Sequence, residues 1–276
     1  MNHNNLNNML NSNREITSSI INSSPILLVS QLEGSFFQDI PGEIKINAAG
    51  LIRSNDTENI NNNINNNNNE EYRKENDGVV LFGNNPDFKS DVILNLTNPL
   101  LEQYKKYPYI FSIYFKKETK CYYIKAYSGE GADNRLVFVK LTAGQDLIIS
   151  KREIITIGNT IFQVLLIDNE NIELTVILSK HKEKLGDKVK KVYNKNEMSE
   201  ISLGRDENCT YPFINDKAFS RQQTLIKYEN GNWVIKDGDG IKSSLNGTWV
   251  FGLHSFQIKD EMIVEVLTSK LKFKLI

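Results

Sequence analysis

Three short blocks near the end of this chain hold residue types that can grip a phosphate: Gly204-Arg205, Ser220-Arg221 and Ser244-Leu245-Asn246-Gly247-Thr248. Arginine presents a planar fork of charged donors that matches phosphate oxygens. Serine adds a hydroxyl donor, and an asparagine carboxamide can hold the backbone of a peptide that carries the phosphate. The intervals between the blocks suit loops that join short strands, and no catalytic group accompanies them. Each block taken alone has a plainer reading. Asn-Gly is a favourable hairpin turn, and Arg205 could simply pair with Asp206 or Asp216.

The elements that must position these loops are β-strands. Ile201-Ser202-Leu203 leads into Gly204-Arg205, and Ala218-Phe219 precedes Ser220-Arg221-Gln222-Gln223. Trp233-Val234-Ile235-Lys236-Asp237 runs up to the asparagine turn and Trp249-Val250 leaves it. In this order, over about residues 172 to 276, the segment resembles the forkhead-associated (FHA) domain, whose pattern is Gly-Arg, Ser-x-x-His, Ser-x-Asn-Gly-Thr and a terminal hairpin. The resemblance implies a β-sandwich that binds phosphothreonine peptides through loops at one end. Arg205 and Ser220 would meet the phosphate, Arg221 would add its backbone N–H or its side chain, and Asn246 would hold the peptide backbone, with Ser244 and Thr248 completing the binding set. A small apolar recess beside Asn246 would take the threonine methyl, and the Thr210 to Asp216 segment would meet residues further along the ligand. Two positions depart from the family pattern. Gln223 stands where the family has a histidine that ties loops together, and its amide can make part of those bonds. Leu245 stands where binding members often place a polar or basic residue, which implies one contact fewer and modest affinity. An insertion, Gly238-Asp239-Gly240-Ile241-Lys242, lengthens the approach to the turn.

Composition sets the bounds. With 276 residues, 39% apolar and 24% charged, the chain has material for one large or two ordinary domains. Its formal net charge is −1, and residues 172 to 276 hold 17 Lys+Arg against 14 Asp+Glu, with 16 against 20 upstream. Neither part has the basic excess of a nucleic-acid surface, so no nucleic-acid partner is expected. The basic run from Lys180 to Lys191 is interrupted by Gly186 and Asp187 and reads as a solvated loop. Cys121 and Cys209 show no metal-binding or disulfide spacing, which fits a reducing compartment. Residues 1–24 have no secretory signal pattern, and no apolar stretch approaches the roughly 18 residues needed to cross a bilayer. A soluble intracellular protein with no membrane partner, cofactor or metal is expected; nucleus or cytoplasm, and the oligomeric state, stay open.

From Pro25 onward, short runs of Ile, Val, Leu, Phe and Tyr alternate with Asn, Asp and Gly clusters, and no long segment keeps a helical period. The expected fold is all-β: two tandem β-sandwiches of FHA type with Asn-rich disordered segments. Those segments are the tail, 1–24, and an insertion at about 55–76, both too polar to fold. Expected strands in the first half are Tyr107 to Phe115, Cys121 to Ala126, Leu136 to Lys140, Ile154 to Ile157 and Ile161 to Ile167; Asn98 to Lys106 admits one short helix. In the second half they are Ile172 to Leu178, Leu225 to Lys227, Trp233 to Lys236, Gly247 to Val250, Met262 to Val266 and Leu271 to Leu275. An internal repeat is also visible. Gly83-Asn84 parallels Gly204-Arg205, and the hairpin around Gly158 parallels the one around Leu267. The expected division is therefore a degenerate FHA-like sandwich, 25–169, and an FHA domain, 172–276, joined near Asp168 to Asn171. Asn84 in place of the arginine implies that the first does not bind phosphate.

An enzyme is not expected. His3, His181 and His254 have no neighbouring Ser, Cys or carboxylate in a catalytic spacing. Asp237 and Asp239 lack the rest of a calcium-loop pattern. Gly129-Glu130-Gly131 lacks the lysine and helix of a phosphate-binding loop. The competing expectation is a non-catalytic assembly protein that uses both sandwiches as packing surfaces.

Overall fold

The computed structural model describes residues 16–34, 37, 42–53, 77–127, 137–142, 144–179, 185–214, 216–251 and 255–276. The Asn-rich insertion, the three histidines, Gly129 to Gly131 and most of the tail lie outside these residues. The described end of the tail is not disordered as expected: Ser18–Ser23 form a short helix, α1, that buries no side chain. Its last turn is closed by the Ser24 hydroxyl, which donates to Ile20 O at 2.6 Å.

The strands in chain order begin with β1 (Leu27–Glu33), β2 (Glu43–Asn47), β3 (Gly50–Ile52), β4 (Val79–Gly83), β5 (Val92–Ile93), β6 (Phe111–Lys116) and β7 (Cys121–Ala126). They continue with β8 (Val137–Lys140), β9 (Leu147–Ile148), β10 (Ile154–Ile157), β11 (Thr160–Ile167), β12 (Asn171–Leu178), β13 (Lys190–Asn194) and β14 (Glu200–Gly204). The remainder are β15 (Tyr211–Pro212), β16 (Thr224–Glu229), β17 (Asn232–Asp237), β18 (Trp249–Phe251), β19 (Phe256–Gln257), β20 (Ile263–Val266) and β21 (Ser269–Leu275). Among the described residues the fold is all-β apart from α1, a turn of helix α2 (Pro99–Glu102) and 3-10 turns that include Gln103–Lys106. Among the described residues no helix is long and apolar enough to cross a membrane. Lys190–Asn194 corrects the reading of the basic run as loop throughout. It pairs with β12 and alternates exposed Val192 with buried Tyr193, as a half-covered strand does.

Contacts divide the chain into two compact units, Met1–Phe138 with Gly252–Ile276, and Val139–Phe251. The second unit is one continuous stretch set within the sequence of the first. This differs from the expected division at 169–172, for a reason visible in the pairing. Asp168 to Asn171 is not a linker but a hairpin turn: Asp168 N–H donates to Asn171 O at 3.0 Å, and the Asp168 carboxylate accepts the Glu170 and Asn171 N–H groups at 2.8 and 2.7 Å. Strands β11 and β12 run antiparallel on either side of it, Val164 opposite Leu174 and Ile167 opposite Ile172.

In the second unit the strand orders are β13-β12-β11-β10-β18 and β15-β14-β16-β17-β9. Alternate residues of β10, β11 and β12, namely Ile155, Ile157, Phe162, Val164, Ile172, Leu174 and Val176, are all at most 1% exposed, the period-two signature of one buried face. Phe162 stands edge-on to Tyr211 at 5.3 Å and to Phe213 at 6.2 Å between ring centroids, and Phe213 stacks on Phe219 at 4.2 Å. This aromatic column underlies the loop that carries Ser220.

In the first unit the orders are β20-β21-β1-β2-β3 and β19-β7-β6-β4-β5. Phe82 and Phe111 stack at 4.1 Å in its core, and buried Tyr122 donates its hydroxyl to Pro25 O at 2.7 Å. Both units contain the same unusual corner. A two-residue parallel ladder joins β4 to β5, Phe82 opposite Val92, and β14 to β15, Leu203 opposite Tyr211. The bond from Ile110 N–H to Phe82 O at 2.8 Å matches that from Gln223 N–H to Leu203 O at 2.8 Å. Leu94 N–H to Gly83 O likewise matches Phe213 N–H to Gly204 O, at 3.0 and 2.7 Å.

Candidate functional site

The ends of β14, β15, β16 and β17 that share a tip of the second unit are fixed by register, Leu203 opposite Thr224 and Thr224 opposite Asp237. The loops leaving them carry every candidate residue. Gly204 makes the first junction possible: a Cβ at this position would lie 2.1 Å from the Arg221 carbonyl oxygen, so no other residue fits without moving backbone. With the two chains this close, Arg205 N–H donates to Ser220 O at 2.9 Å and Asp206 N–H to Arg221 O at 3.1 Å. The arginine loop and the serine loop are thus zipped together.

Gln223 is the brace between the serine loop and the asparagine turn. It is fully buried; its Oε1 accepts Ser220 N–H at 2.9 Å, and its Nε2 donates to Ser244 Oγ and to Gly247 O, the latter at 3.0 Å. An amide carries one acceptor and two donors, and all three are used. The turn is held from its other side by Asp237, also fully buried, whose carboxylate accepts Ser244 N–H at 2.9 Å and the Ser244 hydroxyl at 2.6 Å. The sequence places Asp237 at the end of the strand that leads to the asparagine turn and offers it no calcium-loop role. Its actual role was signalled by its place at a strand end beside a Ser-rich turn, where a carboxylate can gather orphan amides.

The expected site residues therefore separate into two groups. Arg205, Arg221 and Asn246 are exposed and Ser220 is half-buried. Ser244 and Thr248 are instead interior residues, 8% and 0% exposed, which corrects their place in the expected binding set. The Ser244 hydroxyl is saturated by Asp237, Gln223 and Gly247 N–H, and Thr248 Oγ1 lies 2.7 Å from Thr224 Oγ1 and 2.9 Å from Asp237 Oδ1. Buried polar atoms take internal partners because an unpaired one is costly.

Among the described residues neither Arg205 nor Arg221 forms an ion pair within 4.0 Å, and the Arg221 charge acts at longer range on the Asp206 carboxylate. Ser220 Oγ accepts Leu245 N–H at 2.8 Å, which leaves its own proton to donate. Asn246 Nδ2 donates to Ala218 O at 2.8 Å, which fixes the amide and leaves Oδ1 to accept a hydrogen bond. The carboxylates of this tip are occupied by amides. Asn208 backbone and side-chain N–H groups hold the Asp206 carboxyl below its ordinary range, helped by the Arg221 charge. The Lys242 and Ile241 N–H groups do the same for Asp239. Among the described residues no cluster of three or more His, Cys, Asp or Glu is placed to hold a metal ion.

Among the described residues at the equivalent corner of the first unit, the arginine donors have no counterpart. Asn84, at the place of Arg205, donates to Leu94 O at 2.6 Å, and Ile110 stands where Gln223 is. A Cβ on Gly83 would lie 2.9 Å from Pro108 O, so Pro108 stands where Arg221 is.

The FHA domain family model matches residues 201–265, which span the zipped loops, the brace and the turn. No curated protein and no solved structure matches the chain. FHA domains are in general phosphothreonine-binding protein-interaction modules and typically non-catalytic.

Proposed function

We propose that the loop tip of the second unit binds a phosphothreonine-containing protein segment and that the chain is a non-catalytic adaptor. The observation that carries this reading is a set of uncommitted donors, Arg205, Arg221 and the Ser220 hydroxyl, on loops that Gly204 and Gln223 lock together. Arg205 and Ser220 take phosphate oxygens, Arg221 adds charge from the same loop, and Asn246 Oδ1 accepts a backbone N–H of the ligand. Ser244, Thr248 and Asp237 position the turn from below. Each bond to a charged group contributes roughly 1.5 to 3 kcal/mol.

Titration of the full chain with a phosphothreonine peptide library and its unphosphorylated twin tests this. Phosphate-dependent binding is expected, weakened about ten- to a hundredfold by Arg205→Ala, the equivalent of one charge-assisted bond. Equal binding of the twins, or no effect of the substitution, would reject the function.

A further inference from the structure

Segments 147–167 and 256–276 are equal in length, and each closes one unit. Phe256 stands opposite Ile124 of the first unit as Leu147 stands opposite Ile235 of the second. Lys272 faces Ser30 as Gln163 faces Thr175, and Leu271 faces Gln31 as Phe162 faces Val176. The backbone bonds agree as well. Met262 O accepts Phe273 N–H at 2.8 Å where Glu153 O accepts Val164 N–H at 2.9 Å, and Ile258 N–H donates to Tyr122 O at 2.8 Å where Ile149 N–H donates to Trp233 O at 2.9 Å. The left-handed positions coincide too, Glu261 with Arg152 and Leu267 with Gly158. All these matches keep one constant offset along the chain, without a gap.

In chain order the two closures are reciprocal. Strands β9 to β11 follow β1 to β7 but close β12 to β17, while β19 to β21 follow β12 to β17 but close β1 to β7. Each segment thus completes the strands that it does not follow. The interiors of the two segments are alike. Ile157 matches Val266 and Thr160 matches Ser269, all at most 3% exposed. Phe162 with Val164 and Leu271 with Phe273 bring similar volumes in opposite order, and Glu153 against Met262 is a matched pair that changes polarity. Packed cores tolerate volume-conserving changes best, and two packings of one sequence can lie close in free energy.

We infer that the chain has a second closure, in which 147–167 completes the first unit and 256–276 completes the second. Exchange of like elements is a low-cost rearrangement, since each contact is replaced by its equivalent, and here both elements are tethered to one chain, which keeps the exchange intramolecular. Residues 168–171, a hairpin turn in the exchanged form, become the connection between two contiguous units in the other. Conversion releases both segments at once, so the partition is set as the chain folds. Arg205, Ser220, Arg221 and Asn246 lie outside both segments. Either closure therefore presents the tip, with Leu271 in place of Phe162 beneath the serine loop.

The test uses the full chain carrying Ser30→Cys, Gln163→Cys and Lys272→Cys, all at half-buried positions. The thiol placed at position 30 bridges to position 272 in the exchanged form and to position 163 in the other. After unfolding, refolding at high dilution and brief oxidation, mass spectrometry of peptide digests reads the partition. The 30–163 bridge should form at about one part in a hundred or more of the 30–272 bridge, the scale of a few volume-conserving core changes. A mirror variant, Thr175→Cys with Gln163→Cys and Lys272→Cys, should give the same ratio of 175–272 to 163–175 bridges, because the exchange is reciprocal. A lower ratio or no bridge in both variants, ratios that disagree between the two, or bridges that join separate chains would overturn the second closure.

Discussion

Phe162 lies in the half of the sequence upstream of the Gly-Arg block, yet its ring stands edge-on to Tyr211 and Phe213 beneath the serine loop, and it is 1% exposed. Phe162→Ala removes both ring contacts and leaves a cavity under that loop. Large-to-small changes at a fully buried phenylalanine cost about 3 to 5 kcal/mol, a large part of a typical domain stability of about 5 to 15 kcal/mol. The matching control is Phe273→Ala on β21, equally buried but in the first unit. The two tryptophans of the chain, Trp233 and Trp249, both fall within Val139–Phe251, so tryptophan fluorescence reports the second unit. In urea unfolding followed by fluorescence, Phe162→Ala should lower the stability of the tryptophan transition by about 3 to 5 kcal/mol and Phe273→Ala by clearly less. Phosphopeptide affinity should fall in the first variant as its loop loses support. A 172–276 domain complete in itself predicts the reverse order, with Phe273 the residue that matters, and that result would refute the division into these units.

Two further substitutions probe the interior. Gln223→Ala strands Ser220 N–H and Gly247 O, each unmade bond costing about 1 to 3 kcal/mol; chemical denaturation should show a loss of about 2 to 5 kcal/mol, and Gln223→His should recover part of it. Glu153, 2% exposed, has one carboxylate oxygen without a partner among the described residues, and burial pushes its carboxyl up from 4.5 to about 7, partly offset by the Ser150 backbone N–H. The folded state then holds a proton that the unfolded state releases between those values, so stability falls as pH rises through the window, by about 3 kcal/mol once complete. Glu153→Gln should be free of this loss, so its stability relative to the parent should rise between pH 4.5 and 8; parallel pH profiles would contradict the burial argument.

Much of the fold was legible because its strands are short apolar runs between turn residues. Ile154–Ile157 was read without error, and Thr160–Ile167 and Asn171–Leu178 to within a residue. The domain boundary was not legible. Hairpins β10–β11 and β20–β21 have the same apolar period and the same turn geometry, with Gly158 at φ 53° and Leu267 at φ 56°, so neither pattern says which strands it joins. Two-residue strands such as β5, β9, β15 and β19 have no period to detect. At the site, Gly204-Arg205 and Ser220-Arg221 announced themselves by residue type. Ser244 and Thr248 carry the same hydroxyls, but their burial was set by Asp237 and Gln223, and hydrogen bonds across 7 to 25 positions leave no local trace.

The most direct test of the central claim is the amide NMR spectrum of the isotopically labelled full chain as a phosphothreonine peptide is added. The account predicts that the Arg205, Ser220, Arg221, Leu245 and Asn246 resonances move together, that those around Asn84 stay fixed, and that the unphosphorylated twin moves none of them. Shifts centred elsewhere, or the same with both peptides, would contradict it.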